Sequence, residues 1–499
     1  MSVSLRTIHE ALVDAGLVTA VDGSLPAEVS LVTDDSRRVV MGALFVAVRG
    51  STADGHDYLE AAERAGAAAA IVETSGRTTL PAIRVSDGRR AAAVAAAAFH
   101  GWPAKALRML GVTGTSGKST TVAMLRHLFD APAGSSASIG TLGVVRGSAG
   151  ADVSDIDGLT TPGPVELQGV LRQLAMAGVR TVSMEVSSHA LAQQRVGTVS
   201  FDAAVYTNLS HEHLDYHKSM EAYLAAKARL TEMLAPNGVV VINADEPAWR
   251  DLPATPRRIS FGMHTSADVS ARDATFGPRG SRWTLVTPDA EAEVALPLLG
   301  DFNVMNALGA AATAWTLGIP TSMVAERLAS VQQVPGRLER IWSRPTVLRD
   351  YAHKPDALAR ALDAVRPFVT SHKRIITVVG CGGDRDRAKR PVMGRIAQEK
   401  SDLVIITSDN PRTEDPESIL DEMAAGMTGT AYERIEDRRE AIARALRVAD
   451  EEDVVVLAGK GHETYQIRGT TKYHFDEREI VQELMRGKEQ GVTSEGRGA

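Results

Sequence analysis

The sequence predicts an α/β protein in three domains: a small amino-terminal α/β domain, a central domain on a parallel sheet and a carboxy-terminal Rossmann-like α/β domain. Three observations carry this reading. The chain has 499 residues, more than one hydrophobic core accommodates and enough for about three domains. Short apolar runs recur, each ending in polar or glycine residues and alternating with helical stretches, the pattern of parallel strands joined by crossover helices. One of these runs opens into Gly111-Val112-Thr113-Gly114-Thr115-Ser116-Gly117-Lys118-Ser119-Thr120, a glycine-rich turn placed between a strand and a helix.

Residues 1–103 form the first expected domain. Leu5, Ile8, Leu12 and Leu17 recur at near-helical spacing. Gly42 to Val48 reads as a strand running into a polar loop, Arg49 to His56; Tyr58 to Ala70 reads as a helix and Ala69 to Glu73 as a strand. Polar loops at strand ends suit a polar small molecule, but most surface loops look alike, so the pattern alone assigns no ligand.

The second domain is expected over 104–335. Its glycine-rich turn follows the run Leu107–Val112 and precedes a helix over Thr121–Phe129. Backbone N–H groups and the helix dipole there favour anionic oxygens, Lys118 adds a positive charge, and Ser119 offers a hydroxyl to Mg²⁺, so the stretch reads as a P-loop for a polyphosphate. Val112 stands where the strict pattern has its first glycine. Further strand-like runs end in Glu185-Val186-Ser187-Ser188-His189, in Thr207 to Asp215 and in Asn243 to Glu246. Ligands of such sheets gather beyond the carboxyl ends of the strands, which places Glu185 and His213 near the phosphates as Mg²⁺ ligands, directly or through water. After His217, Met220, Tyr223, Leu224, Leu230 and Leu234 mark the inner face of a helix, and Lys227 lies on that face. It is either a snorkelling lysine with its amine in water or a buried lysine facing the nucleotide site; the pattern leaves both open.

Residues 336–499 repeat the pattern. Thr346–Leu348 ends in Arg349-Asp350-Tyr351-Ala352-His353, Arg374–Val379 in Gly380 to Asp386, Asp402–Thr407 in Ser408-Asp409-Asn410-Pro411-Arg412, and Asp453–Ala458 in Gly459-Lys460-Gly461-His462-Glu463. If these strands are parallel, Arg385, Arg412 and Glu463 meet at one edge. Arginines grip carboxylates and a carboxylate grips an ammonium, so the cluster suits an amino acid. The polar, glycine-rich tail from Gly487 is expected to be disordered.

Composition narrows the classes. A hydrophobic content of 44% with 23% charged residues is that of a soluble globular protein, and a net charge of −7 gives no basic face for nucleic acid. The alanine-rich run Ala91–Phe99 is too short to span a membrane. A single cysteine, Cys381, rules out an intramolecular disulfide and, with no signal-peptide core at the start, leads us to expect a cytoplasmic protein.

The motifs together resemble those of the Mur ligases, which build the peptide stem of bacterial peptidoglycan. Thr113 to Thr120 is similar to their nucleotide loop; Met184 to His189, Asn208-Leu209-Ser210 with His213-Leu214-Asp215, Asn303 with Asn306, Pro335-Gly336-Arg337 and Asp350-Tyr351-Ala352-His353 match the rest, over nearly the whole chain. Asp409-Asn410-Pro411-Arg412 resembles the signature of the branch that adds meso-diaminopimelate, where lysine-adding relatives differ. The resemblance implies that Ser36, Ser51, Thr52, Ala53, Thr160, Thr161, Ser187, Gln193 and Arg195 hold a UDP-muramoyl dipeptide in part through a uridine-binding first domain. It implies that Gly114, Thr115, Ser116, Gly117, Lys118, Ser119, Thr120, Asn306, Arg337, Asp350 and His353 surround ATP. It implies that Arg385, Asp409, Asn410, Pro411, Arg412, Gly459 and Glu463 hold the incoming amino acid. Lys118, Glu185, His213, Lys227, Arg337 and Asp350 would be catalytic, and Ser119, Glu185, His213 and Lys227 as a carbamate would bind Mg²⁺. Asp34 departs from the family, standing at a place that is often apolar.

The implied reaction is an ATP-dependent amide ligation. The D-glutamyl carboxylate becomes an acyl phosphate, the amine attacks it and phosphate leaves, with closure of the third domain over the second assembling the site. A monomer acting on small molecules, without membrane insertion, is expected. Rival readings are the same reaction with lysine, a folylpolyglutamate-synthase-like ligase, and a P-loop ATPase switch without acyl transfer.

Overall fold

The structure is a computed structural model that describes residues 2–50, 53–154, 158–369, 373–429 and 432–495. The chain divides into two compact units, one of residues 1–270, 286–291 and 306–327 and one of residues 271–285, 292–305 and 328–499.

The first unit contains two large sheets, and Val3–Ser4 pairs with Glu28–Val29 as a two-stranded ribbon. In the five-stranded one the order is Val18–Asp22, Ala82–Val85, Ala69–Val72, Ala43–Val46, Leu31–Thr33. The last four strands are parallel and the first is antiparallel to its neighbour. The helix Leu5–Asp14 buries Leu5, Ile8 and Leu12, the predicted stripe. Gly88–Phe99 is buried almost all round, because alanine side chains let neighbours approach from every side; it packs on Leu5–Asp14 and on Pro164–Met176. Asp87 caps it by accepting from the Arg90 amide at 3.0 Å. The predicted Tyr58–Ala70 helix is shorter, Leu59–Arg64, since Gly66 turns the chain at φ +99°.

The central sheet runs Ala151–Ser154, Gly143–Arg146, Ser136–Gly140, Thr181–Glu185, Arg108–Thr113, Phe201–Tyr206, Leu234–Asn243, Arg258–Gly262. Its strands from Ser136–Gly140 to Arg258–Gly262 are parallel. The glycine-rich turn therefore leaves the middle strand, and the register pairs Glu185 with Val112 and Tyr206 with Thr113, so three strand ends meet beside it. The helix after the turn begins at Lys118, not Thr121: the small hydroxyl residues Ser119, Thr120 and Thr121 are buried within it.

The second unit carries a six-stranded sheet ordered Glu339–Ser343, Thr346–Asp350, Val454–Ala458, Ile375–Val379, Leu403–Ile406, Tyr432–Arg434. All but the first strand are parallel, as the repeated pattern predicts. One core cluster joins the sheet to helices Pro355–Val365, Lys389–Lys400 and Pro416–Ala424, and another joins it to Arg438–Val448 and Glu477–Glu495. That last helix carries the backbone through most of the tail expected to be disordered, because Ile480, Val481 and Met485 anchor its start in the core; residues 496–499 lie outside the described residues. No helix among the described residues is long and apolar enough to cross a membrane.

Candidate active site

In the first unit the phosphate loop is held by backbone geometry that only glycine fits. Gly114 has φ +147°, and a Cβ there would lie 1.9 Å from Thr207 Oγ1; Gly117 has φ +83°, and a Cβ there would lie 2.3 Å from Asn306 Oδ1. Asn208 braces the loop from the next strand end. Its Oδ1 accepts from the Ser116 amide at 2.9 Å and its Nδ2 donates to the Ser116 carbonyl at 3.2 Å. Thr207 Oγ1 donates to the same carbonyl at 2.7 Å. Lys118 Nζ donates to the carbonyls of Gly114 and Thr115 at 2.8 and 2.9 Å, which keeps its charge over the loop. With the helix amino end at Lys118–Thr120, this is a cradle for phosphate oxygens.

Lys227 is buried, and the snorkelling reading falls. Its Nζ donates to the Gly114 carbonyl at 2.8 Å and lies 4.5 Å from the centroid of the Tyr223 ring, whose hydroxyl is 3.2 Å from Thr115 Oγ1. Burial first, and the nearby charge of Lys118 second, hold its amine pKa well below the usual lysine value.

Glu185 is buried at the end of its strand, where Oε1 accepts from the Thr141 amide at 2.8 Å and Oε2 from Thr141 Oγ1 at 3.3 Å. His213 adopts φ +56°, and burial followed by the charges of Lys118 and Lys227 push its pKa down to about 4. It is thus a neutral imidazole, with Nε2 3.0 Å from Glu212 Oε1. His189, 4.8 Å away between ring centroids, is also pushed down to about 4, chiefly by burial. Among the described residues no three His, Cys, Asp or Glu side chains cluster as a metal cage. A hydroxyl and a carboxylate are nevertheless the hard oxygen donors that Mg²⁺ accepts while it keeps waters and substrate phosphates, and a neutral imidazole is a softer donor that adds no repelling charge.

Several residues expected to hold the UDP-linked substrate form one network. Thr161 Oγ1 donates to the Glu185 carbonyl at 2.9 Å and lies 3.3 Å from Ser187 Oγ. Arg195 donates to Gln193 Oε1 through Nε and Nη2 at 3.0 and 2.7 Å, and to the Thr161 carbonyl at 3.0 Å. Thr160 Oγ1 lies 3.3 Å from Thr141 Oγ1. Ser36 opens a short 3₁₀ turn capped by Asp35; Asp34 and Ala53 are exposed, and Ser51 and Thr52 lie outside the described residues. Among the described residues no hydrogen bond or ion pair joins Ser36 or Ala53 to that network.

In the second unit Asp350 ends its strand with its carboxyl pushed up to about 6 by burial, against the opposing pull of Arg337 and of the Leu338 amide, which donates at 2.6 Å. The Arg337 guanidinium lies 5.1 Å from the centroid of the Tyr351 ring. His353 donates through Nδ1 to the Tyr351 carbonyl at 2.8 Å and is pushed down to about 4 by burial.

The second cluster of this unit gathers at the neighbouring strand ends. Asn410 Nδ2 donates to Glu463 Oε2 at 2.9 Å, and a Cβ on Gly459, at φ +119°, would lie 3.3 Å from Asp409 Oδ2. Arg412 takes φ +52°, unusual for a side-chain-bearing residue. Its Nη1 donates to the Gly383 carbonyl at 2.8 Å, and the Pro411 carbonyl packs against Gly383. A Cβ on Gly382 would lie 2.9 Å from Arg412 Nη1 and 3.8 Å from Cγ of Arg385, which is exposed. Glu463 is raised above the usual carboxylate value by burial and by Asp409. Sequence reasoning assigned no role to Asn208, Thr141, Tyr223 or Lys460, although Asn208 stands in the Asn208-Leu209-Ser210 motif and Lys460 in a Gly-Lys-Gly setting at a strand end.

Together the loop, the strand order and the buried lysine beside the loop define a P-loop nucleotide-binding α/β protein. Residues 28–100 match the catalytic domain of the Mur ligase family, 112–314 the Mur ligase middle domain and 336–461 the Mur ligase glutamate ligase domain. The chain is 44% identical over 487 residues to a UDP-N-acetylmuramoyl-L-alanyl-D-glutamate–2,6-diaminopimelate ligase of Gloeobacter violaceus, covering 96% of this chain and 98% of that one. It is 45% identical over 460 residues to the ligase of the same description from Synechococcus elongatus, covering 89% and 91%. A solved structure of a ligase so described superposes with a TM-score of 0.69 at 32% identity, over 98% of this chain and 100% of that one. The chain belongs to the Mur ligase family.

Proposed function

We propose that this chain joins meso-2,6-diaminopimelate to UDP-N-acetylmuramoyl-L-alanyl-D-glutamate with hydrolysis of ATP to ADP and phosphate, in cytoplasmic synthesis of a peptidoglycan precursor and hence in cell-wall growth, cell shape and division. The observation that carries the choice of amino acid is the Arg412 guanidinium, anchored on Gly383 in the same unit as the Asp409–Asn410–Glu463 cluster. A diamino dicarboxylate offers one carboxylate more than lysine, and an arginine can hold it with two parallel hydrogen bonds. The 44% identity to a relative of that description supports the same reading.

The γ-phosphoryl group passes to the D-glutamyl carboxylate, giving an acyl phosphate and ADP. The amine of the amino acid then attacks the acyl carbon, loses a proton, and the tetrahedral adduct expels phosphate. Carboxylate and triphosphate repel each other, so Lys118 and Arg337 act by offsetting negative charge. Backbone amides of Gly114 to Thr120, with Asn306, Asp350 and His353, orient the nucleotide. Thr160, Thr161, Ser187, Gln193 and Arg195, with Ser36 and the segment Ser51-Thr52-Ala53, orient the UDP-linked substrate.

Mg²⁺ would be held by Ser119, Glu185, His213 and Lys227 and would supply charge neutralisation on the phosphates when bound. Lys227 suits this role only as a carbamate: its neutral amine adds CO₂ and releases one proton, which turns a neutral buried group into an anionic ligand. The depressed pKa of that amine supports the reading. Domain limits near residues 103 and 335, and action as a monomer, belong to the same proposal. The test is phosphate release by the purified chain with each substrate omitted in turn and across candidate amino acids. Release that requires both the UDP-muramoyl dipeptide and meso-diaminopimelate is expected. Release with ATP alone, or a preference for lysine or for a folate substrate, would overturn it.

A further inference from the structure

Lys460 is fully buried at the carboxyl end of the strand Val454–Ala458, between Gly459 at φ +119° and Gly461 at φ +54°. Its Nζ lies 3.1 Å from Asn410 Oδ1, 3.4 Å from Asp409 Oδ1 and 3.5 Å from Glu463 Oε2. The rings of Phe475 and Tyr465 stand 5.8 and 6.0 Å away. A buried ammonium is costly unless it is paired, so this one belongs to the cluster rather than to the core. Its contacts are longer than the 2.7–2.9 Å of a strong charge-assisted bond, so it is shared among the three acceptors and saturates none of them.

We propose that Lys460 is a positioning residue of the amino-acid site: its ammonium sets the charge of the Asp409–Asn410–Glu463 cluster to that which accepts one ammonium group of the incoming amino acid. The inference rests on the amino-acid-binding reading given above. The charges are −1 for Asp409, −1 for Glu463 and +1 for Lys460, leaving −1 for the ligand. Lys460 also orients the Asn410 amide. Oδ1 faces Nζ and accepts from the Ile467 amide at 2.9 Å, so Nδ2 is the end left to donate to Glu463.

Without Lys460 two carboxylates would confront each other and one would take up a proton. The groups that bear on Glu463 are Asp409, Lys460 and Asn410, with the Tyr351 and Tyr465 phenols beside it. Burial and Asp409 already raise the Glu463 carboxyl, and Lys460 opposes them. Loss of the lysine therefore moves it further up, and the acidic limb of amino-acid use moves with it.

The test is Lys460→Met in the full chain, with steady-state kinetics for all three substrates across pH. The KM for meso-diaminopimelate is expected to rise about tenfold at neutral pH and the acidic limb of its kcat/KM to shift up by about one pH unit. The KM values for ATP and the UDP-linked substrate should hold. The double variant Lys460→Met with Glu463→Gln removes one charge of each sign, keeps the net balance and covers the case in which the single variant fails to fold. It should be no worse than Glu463→Gln alone. An unshifted pH limb, a parallel rise in all three KM values, or losses that add in the double variant would overturn the proposal. If the unaltered chain does not use meso-diaminopimelate, the functional reading itself fails and this inference with it; if it does and Lys460→Met is kinetically unchanged, only the role of Lys460 fails.

Discussion

Gly117 and Gly178 share φ +83° but differ in surroundings. A Cβ on Gly117 meets Asn306 Oδ1 at 2.3 Å, whereas one on Gly178 meets nothing within 4 Å. Replacing each by alanine therefore separates backbone strain from collision. Left-handed backbone costs an alanine about 1–2 kcal/mol in either place. At Gly117 the buried Asn306 amide must also move, and disturbing a buried polar group costs about 1–3 kcal/mol more. Gly117→Ala is thus expected to lose about 2–5 kcal/mol, spent where the loop meets phosphate. The collision part alone corresponds to a rise of about 5- to 150-fold in the KM for ATP. Gly178→Ala, just after the helix Pro164–Met176, should lower the melting temperature and leave the KM for ATP unchanged. Steady-state kinetics with varied ATP and a thermal melt of both variants make the comparison. A Gly117→Ala chain that binds ATP like the unaltered one, or a Gly178→Ala chain equally impaired for ATP, would refute the steric account of the loop.

Lys227→Ala should lose most of its activity, and added short-chain acid should restore part of it by replacing the missing carbamate oxygens; wild-type turnover in the alanine variant would remove Lys227 from the mechanism. Arg412→Ala should weaken use of meso-diaminopimelate by about 30- to 1,000-fold, the worth of a lost charged hydrogen bond of about 2–4 kcal/mol, with ATP binding retained. Competition between diaminopimelate and lysine measures it, and an undiminished preference would contradict the assignment. Asp350 has a folded pKa of about 6, above its ordinary 3.8, so its contribution to stability is full below about pH 4 and is lost as pH rises through about 6. Asp350→Asn should therefore melt higher than the unaltered chain at about pH 8, by at most about 3 kcal/mol of stability. The gain should vanish near pH 4, and melts at the two pH values check the sign.

How much was legible from sequence depended on whether a feature is local. The glycine-rich loop, the strand ends that carry Glu185, Asp350 and Arg412, and the buried stripe of Leu5–Asp14 follow from period and turn chemistry, which short segments encode by themselves. Helix limits were less legible. Lys118 opens its helix because the glycine before it can take a left-handed backbone, and Leu59–Arg64 stops early because Gly66 does the same at its other end. For Lys227 a helical face was readable but the whereabouts of its amine were not. The amine's target, the Gly114 carbonyl, lies 113 residues away in the chain and reaches it only because parallel strands place their ends together.

The same reason hid the partners of Asn208 and Lys460. Each stands at a strand end that the sequence shows, but its contacts exist only because the sheet brings Ser116 to the first and Asp409, Asn410 and Glu463 to the second. What the sequence by itself determined is therefore the fold class and the chemistry-bearing residue types at each strand end. Only the tertiary structure decided which of them share a buried, low-dielectric space, because desolvation and charge coupling depend on distance in space and not along the chain.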